Sequence, residues 1–384
     1  MAIVILHLIP SLSGGGAERQ LVDVVRNTSR KDFSHVVCCW GASDFFGPQL
    51  RSAGVKVIDL GIDGKHPWFA AARSVNSVVD EVKPDIMHSW LYDADIVSRI
   101  AKLRNRGLRL ITSLQSPNYE PETIRAGGWS STKVGILRWI DRISIKFAAP
   151  YFVACSEFVA GSSRRWLGID PARISVIFNS VDPNTLTTTD PERTRADLGF
   201  VPGDFIFMSV GRLDKGKGYG FLIDAFSKVL QNVPSAKLVL VGTGPDEAEL
   251  RTHAAALMIA ERVVFAGRRS DIGDCLRIAD VFVFPTLFEG LGIALIEAMA
   301  MELPCIATDL PVLREIIDDG VSGQLARAGS VEDWVRSLTE MYSDEDLRRR
   351  LGAAAGERVR SKFYSNVLIP QWEALYSRIS AGDI

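Results

Sequence analysis

Twelve short apolar runs, most of them followed by a longer stretch of helical character, constrain the fold of this chain more than any other feature. In the first half they fall at residues 2–9, 35–39, 55–59, 86–88, 109–113, 151–155 and 174–177; in the second, at 205–210, 237–241, 263–266, 281–284 and 305–308. They run on without alternating apolar and polar residues, as strands buried on both faces do. Between them, residues 17–27, 69–82, 94–104 and 156–167, then 218–231, 247–260, 292–301, 312–318 and 331–341, space their apolar side chains as helices do. Strands that alternate with helices specify a parallel sheet covered on both faces. The pattern occurs twice, so the chain is expected to be α/β, with two doubly wound domains. A length of 384 residues agrees, being too great for one ordinary core.

The join is placed at 179–204, which holds Pro183, Pro191, Pro202 and a threonine run with little apolar content. The expected divisions are an N-terminal domain over 1–182, a linker over 183–203 and a second domain over 204–361. The remaining residues, 362–384, are expected to form a helix, because Trp372, Leu375, Tyr376 and Ile379 lie near helical spacing, and this helix is further expected to return to the N-terminal domain.

Composition narrows the partners. Net charge is −2, so no basic field for nucleic acid is expected. The halves differ: residues 1–182 carry 22 basic and 17 acidic side chains, residues 183–384 carry 22 and 29. A basic first half suits an anionic membrane or substrate, with ordinary surface variation as the alternative. The five cysteines form no C-x-x-C pair and have apolar neighbours, as reduced core thiols of a cytoplasmic protein would. Residues 2–9 contain His7 and lack a basic leader, so they suit a first strand better than a signal peptide. No apolar stretch reaches the roughly 18 residues of a membrane span. The expected location is the cytoplasm, with at most a peripheral place at the inner face of the cell membrane.

Two loops of the second half carry chemistry. Residues 281–301 run from an apolar strand through Pro285, Glu289, Gly290, Leu291 and Gly292 into a helix broken by one charge, Glu297. A lone carboxylate there either faces solvent or accepts hydrogen bonds from a ligand's hydroxyls. The glycines allow close backbone approach and leave N–H groups at a positive helix end. The strand at 205–210 runs into Gly211-Arg212-Leu213-Asp214-Lys215-Gly216-Lys217-Gly218. Two cations suited to phosphate oxygens, Arg212 as a fork and Lys217 as a point charge, meet three glycines at that strand-to-helix turn. Gly242-Thr243-Gly244-Pro245 ends the next strand and can line the same crevice.

In this order, VGRLDKGKG, LVLVGTGP, VVFAGR, ADVFVFPTLFEGLGIALIEAMA and PCIATDLPVLREII resemble the C-terminal domain of retaining glycosyltransferases of family 4. The resemblance implies the GT-B fold, two Rossmann-like domains facing across a cleft. It further implies that Arg212 and Lys217 bind the donor's diphosphate, that Glu297 accepts from its ribose, and that Glu289 sits at the sugar end. Gly290, Leu291 and Gly292 then offer backbone N–H groups, Arg268 flanks the base, and Gly242 borders the donor. Gly14-Gly15-Gly16-Ala17-Glu18-Arg19 is similar to the family's N-terminal loop, with Gly15 and Gly16 facing the diphosphate. His88, within Pro84-Asp85-Ile86-Met87-His88-Ser89-Trp90, resembles a residue at the acceptor site, a packed core histidine being the alternative. Where the family often has a histidine, Gln115 stands, which hydrogen-bonds but cannot shuttle a proton. A second departure is Ser180, after Asn179, in place of the usual glycine.

Glu289, His88 and Gln115 are thus the expected catalytic set. The expected function is transfer of a hexose-type sugar from a nucleoside-diphosphate sugar, with UDP the expected carrier, to a hydroxyl of a glycan or polyprenyl-linked acceptor. The alternatives are a sugar-nucleotide 2-epimerase of similar fold and a non-catalytic nucleotide-sugar-binding subunit. No cofactor and no metal are expected, although Asp93-Ala94-Asp95 spells the D-x-D of some metal sites. Residues 127–148 mix Lys133, Arg138, Arg142 and Lys146 with Trp129, Ile136, Trp139 and Phe147. They suit either an interfacial helix on an anionic membrane or a domain helix with basic edges.

Overall fold

A computed structural model describes residues 2–62, 64 and 66–384. Two compact units divide the chain: Met1–Glu120 with Ser130–Ser180 and Ser365–Ile384, and Pro121–Trp129 with Val181–Tyr364.

The first unit is built on seven parallel strands, β1 (Ile3–Leu8), β2 (Phe33–Cys39), β3 (Lys56–Asp59), β4 (Ile86–Trp90), β5 (Arg109–Leu114), β6 (Tyr151–Ala154) and β7 (Ile174–Val176). Their order is β3-β2-β1-β4-β5-β6-β7. The second sheet holds β8 (Phe205–Val210), β9 (Ala236–Val241), β10 (Val263–Gly267), β11 (Val281–Phe284), β12 (Cys305–Thr308) and β13 (Gln324–Ala326), in the order β10-β9-β8-β11-β12-β13. Every pairing within both sheets is parallel. Each order reverses direction once, between β1 and β4 and between β8 and β11. Ligands of doubly wound sheets bind beyond the strand ends at such a reversal. The glycine-rich loop 211–218 leaves β8 and the loop 285–292 leaves β11, so the fold delivers both motifs to one reversal point.

Strand burial explains the unbroken apolar runs: all five residues of β4 and all four of β11 are buried. The core of the second unit gathers side chains from β8, β9 and β11 with Leu222, Phe226 and Trp334. In the first unit, Leu368, Ile369, Trp372, Leu375, Tyr376 and Ile379 of the Ser365–Ala381 helix join a core with Leu21, Val25 and Trp90. That helix belongs to the first unit although 184 residues of the second, Val181–Tyr364, precede it.

Two boundaries differ from expectation. Residues 121–129 group with the second unit, because the Pro121–Ala126 helix touches the Lys215–Lys217 turn and Trp129 meets Phe288. Residues 183–203 are not a bare linker. The Pro191–Asp197 helix is fastened where Thr194 Oγ1 donates to Asp271 at 2.9 Å and Thr189 donates its N–H and hydroxyl to Asp274. The helix expected over 312–318 is reduced to a single 3-10 turn, Leu313–Glu315.

Candidate functional site

The site in the second unit is assembled by two loops pressed together. Asp214 caps the Lys215–Lys217 turn by accepting from the Gly216 N–H at 3.1 Å. Gly218 follows at φ +67° and starts the Tyr219–Val229 helix. A Cβ at Gly218 would strike the Pro285 carbonyl, and one at Gly216 would strike the Phe288 ring. The loops are also sewn by the Leu287 N–H donating to the Gly216 carbonyl at 2.8 Å and by Thr286 Oγ1 donating to it at 3.2 Å. Close packing of the two loops therefore accounts for these glycines, against a backbone carbonyl at Gly218 and against an aromatic ring at Gly216.

This contact brings Lys217 and Glu289 together as an ion pair, with side chains 23% and 15% exposed. The Lys217 ammonium also lies 5.7 Å from the Phe284 ring centroid, and Thr286 Oγ1 reaches Glu289 at 3.4 Å. A half-buried cation held this way is pre-placed, its side-chain entropy already spent. Arg212 remains 71% exposed, its Nε 3.5 Å from Asp214. Gly290, Leu291 and Gly292 are buried, and Gly292, at φ +108°, opens the Ile293–Ala300 helix. Glu297, one turn further on, is 3% exposed, so the solvent-facing alternative fails. Gly242, at φ +138°, lies against the Gly211 carbonyl, and Arg268 is exposed beyond β10.

In the first unit, Gly15 and Gly16 begin the Gly16–Asn27 helix after β1. A Cβ on Gly15 would meet the Glu18 carboxylate, which accepts from Ser13 Oγ at 2.5 Å. Gln115 follows β5, and its Oε1 accepts from Asn179 Nδ2 at 2.9 Å.

His88 requires a correction. It lies inside β4 and is fully buried, with Nδ1 3.0 Å from the Tyr376 hydroxyl and Nε2 2.8 Å from Ser113 Oγ. Its ring sits against Trp90, Trp372 and His7. Burial pushes its pKa well below the ordinary value, with His35 adding to the shift. His88 is a neutral core histidine with both nitrogens engaged, and it is not available to a substrate.

The Asp93–Asp95 pair is also structural. Asp93 accepts from Trp68 Nε1 at 2.7 Å and meets His66 Nδ1 at 2.8 Å, while the buried Asp95 accepts from Ser89 Oγ at 2.7 Å. Among the described residues no cluster of three or more His, Cys, Asp or Glu side chains is placed to hold a metal ion.

Ser180 explains its own departure from glycine. Its N–H donates to Gln20 Oε1 at 2.8 Å and its hydroxyl to Asp23, which also accepts from Ser365 Oγ at 2.8 Å. The network binds the first helix, the end of the first unit's main segment and the start of the last helix.

Comparison with known proteins gives these loops their setting. Residues 14–185 match the family described as Glycosyltransferase Family 4, and residues 190–358 match Glycosyl transferases group 1. The chain is 34% identical over 319 residues, 80% of each chain, to EpsD of Bacillus subtilis (strain 168), described as a glycosyltransferase. This chain belongs to the family 4 glycosyltransferases. It is also 26% identical over 286 residues, 71% of this chain and 70% of the other, to the UDP-Gal:alpha-D-GlcNAc-diphosphoundecaprenol alpha-1,3-galactosyltransferase of Escherichia coli. With the N-acetyl-alpha-D-glucosaminyl L-malate synthase of Bacillus anthracis it shares 28% identity over 210 residues, 55% of each chain. Anabaena HepE, solved with UDP and glucose, superposes with a TM-score of 0.83 at 23% identity, covering 97% of this chain and 99% of that one. The fold of this glycosyltransferase is GT-B.

Sequence reasoning about the glycosyltransferase missed Thr286 and Phe288, the residues that clamp the two loops. Only their place between Pro285 and Glu289 could have pointed to them. Among the described residues no helix is long and apolar enough to cross a membrane.

Proposed function

We propose that this glycosyltransferase moves a hexosyl group, with retention, from a UDP-sugar to a hydroxyl of a glycan or lipid-linked acceptor. The Lys217–Glu289 pair at the sheet reversal carries the reading. Arg212 and Lys217 neutralise the donor's diphosphate, the diphosphate sharing the Lys217 ammonium with Glu289. Glu297 accepts from the ribose hydroxyls, Arg268 flanks the base, and Gly15, Gly16 and Gly242 line the phosphates. Glu289 orients the sugar with the N–H groups of Gly290, Leu291 and Gly292. The acceptor oxygen bonds to C1 on the face from which the phosphate oxygen departs, and the acceptor proton passes to that oxygen. No protein base is needed, so a glutamine at 115 and a buried His88 are compatible with transfer. Gln115 serves as a hydrogen-bonding group for the acceptor, and the protein's contribution is positioning and charge stabilisation. The UDP-sugar and diphosphoundecaprenol named for the Escherichia coli relative support the donor and acceptor classes.

Thermal shift with a panel of nucleotide sugars tests the donor, since a ligand that binds the native state raises the midpoint. UDP-sugars should raise it in the wild type, and Lys217→Ala and Glu297→Ala should each weaken donor binding or turnover about tenfold, a ~1.4 kcal/mol effect. Unchanged binding and turnover in both variants would overturn the site assignment.

A peripheral place on an anionic membrane belongs to the same reading. The outward side of the Ser131–Ala148 helix exposes Ile136, Trp139 and Phe147 beside exposed Lys133, Arg142 and Lys146. Its one acidic residue, Asp141, is buried. Apolar side chains framed by cations match the headgroup boundary of an acidic bilayer. Co-sedimentation with phosphatidylglycerol vesicles should fall at least fivefold in Trp139→Glu/Phe147→Glu; equal pelleting would remove the membrane from the proposal.

A further inference from the structure

The segment 121–129 comes from the first half of the sequence yet packs on the donor-site loops of the second unit. Its helix, Pro121–Ala126, touches the Lys215–Lys217 turn, and its last residue, Trp129, sets its ring 6.2 Å from that of Phe288 at an interplanar angle of 63°. Phe288 packs on Gly216 and is the neighbour of Glu289. Phe288 therefore touches both Trp129 and the Gly216 turn, and Glu289 follows it in the chain.

Its backbone is tightly held. The Gly127 N–H donates to the Thr123 carbonyl at 2.9 Å, the Gly128 N–H to Arg125 at 3.1 Å and the Trp129 N–H to Ile124 at 3.0 Å. Gly128 takes φ +64°, and a Cβ on Gly127 would lie 2.9 Å from the indole. The turn thus closes onto one part of the indole, while Trp129 stays 45% exposed. A surface tryptophan usually gains little from being held in place while wet. An indole fixed at the edge of a sugar-handling site offers a flat apolar platform for the C–H face of a pyranose, with an N–H at its rim for a hydroxyl.

We infer that Trp129 is the stacking platform for the acceptor's terminal pyranose, a specificity-determining residue that acts on acceptor affinity. The inference rests on the transfer reaction proposed above. In the reading above the donor is met by charges and hydrogen bonds from Arg212, Lys217, Glu289 and the loop amides, which leaves the exposed indole beside Phe288 for the other sugar of the reaction, the acceptor's. The 121–129 segment accordingly lends the donor unit an acceptor contact.

Saturation-transfer NMR tests this with UDP present and a panel of methyl glycosides (gluco, galacto, manno and N-acetylglucosamine forms) as probes. At least one glycoside should show transfer to its ring C–H protons in the wild type. The signal should persist in Trp129→Phe and drop at least fivefold in Trp129→Ala, with UDP affinity within twofold throughout. Equal transfer in Trp129→Ala, or no transfer from any glycoside to UDP-bound wild type, overturns the platform. Loss of UDP affinity in Trp129→Ala also overturns it, showing that the indole only props the 285–289 loop. Failure of UDP to bind the wild type would refute the donor reading itself and be distinguishable from these results.

Discussion

At position 242 only glycine fits, and the reason is a neighbouring backbone. The residue takes φ +138°, and a Cβ there would strike the Gly211 carbonyl. Gly242→Ala should therefore lower the stability of the second unit by about 2–3 kcal/mol, read from urea midpoints; a change under about 0.5 kcal/mol would refute the steric argument. His7, His35 and His88 make a different point, since all three are held neutral. Burial sets His35 at about 4 and drives His7 and His88 well below 6.5. Their contribution to stability is complete above pH 6.5 and is lost as pH falls toward the folded values. Burial raises Asp95 to about 8 despite the nearby Arg99. A carboxyl raised in the fold has the opposite slope, favouring the fold at acid pH and losing that advantage as pH climbs from 3.8 to 8. Asp95→Asn removes that slope. Its urea midpoint should exceed the wild type's at pH 8 and fall more steeply from pH 6.5 to 4, whereas a profile parallel to the wild type's would show Asp95 ionised in the fold.

At the scale of elements, the Tyr92–Arg104 and Ser131–Ala148 helices are joined by a buried ion pair. Arg99 donates to Asp141, which also accepts from the Tyr119 hydroxyl at 2.8 Å; Arg99 and Asp141 are 2% and 5% exposed. Removing one buried charge strands the other, so Asp141→Ala should cost about 3–5 kcal/mol. Arg99→Met/Asp141→Leu should recover most of that loss in the same chemical denaturation. A double variant no more stable than Asp141→Ala would instead make the pair a net source of stability over an apolar replacement. This network also orients the helix whose outward face bears Trp139 and Phe147. Reading 127–148 as one amphipathic segment obscured a division: the helix begins at Ser131, and Trp129 belongs to the other unit. Helical spacing reports which residues share a face, but it is silent on where a preceding glycine turn sends the chain.

At the scale of the molecule, the Ser365–Ala381 helix completes the first unit's core. Burying its six core side chains contributes on the order of 10 kcal/mol as an upper estimate, comparable to the whole stability of a typical domain. Deletion of 365–384 should leave the first unit unable to fold, seen as insoluble protein or strong binding of a hydrophobic dye, while a soluble truncation with native near-UV signal would contradict this. Most of the fold was legible because strands buried on both faces leave unbroken apolar runs; β8, β11 and β12 fall where the runs lie. β13 was not, since Gln324-Leu325-Ala326 is three residues long and mixed in character. In the site, the residue types of Lys217, Glu289 and Glu297 were legible from their loops. The pairing of Lys217 with Glu289, 72 residues apart, was not. The misplacement of His88 has the same origin: one histidine in an apolar strand reads alike whether it faces a ligand or Tyr376, 288 residues away.

The sequence by itself determined the strand-helix alternation, the two sheets and the loops rich in glycine and charge, because these follow from the spacing of side chains along a local backbone. Tertiary structure alone decided which distant groups meet: Lys217 with Glu289, His88 with Tyr376, Ser180 with Asp23 and Trp129 with Phe288. Such contacts depend on sheet order and loop packing, and no local pattern carries the sequence separation across which they form.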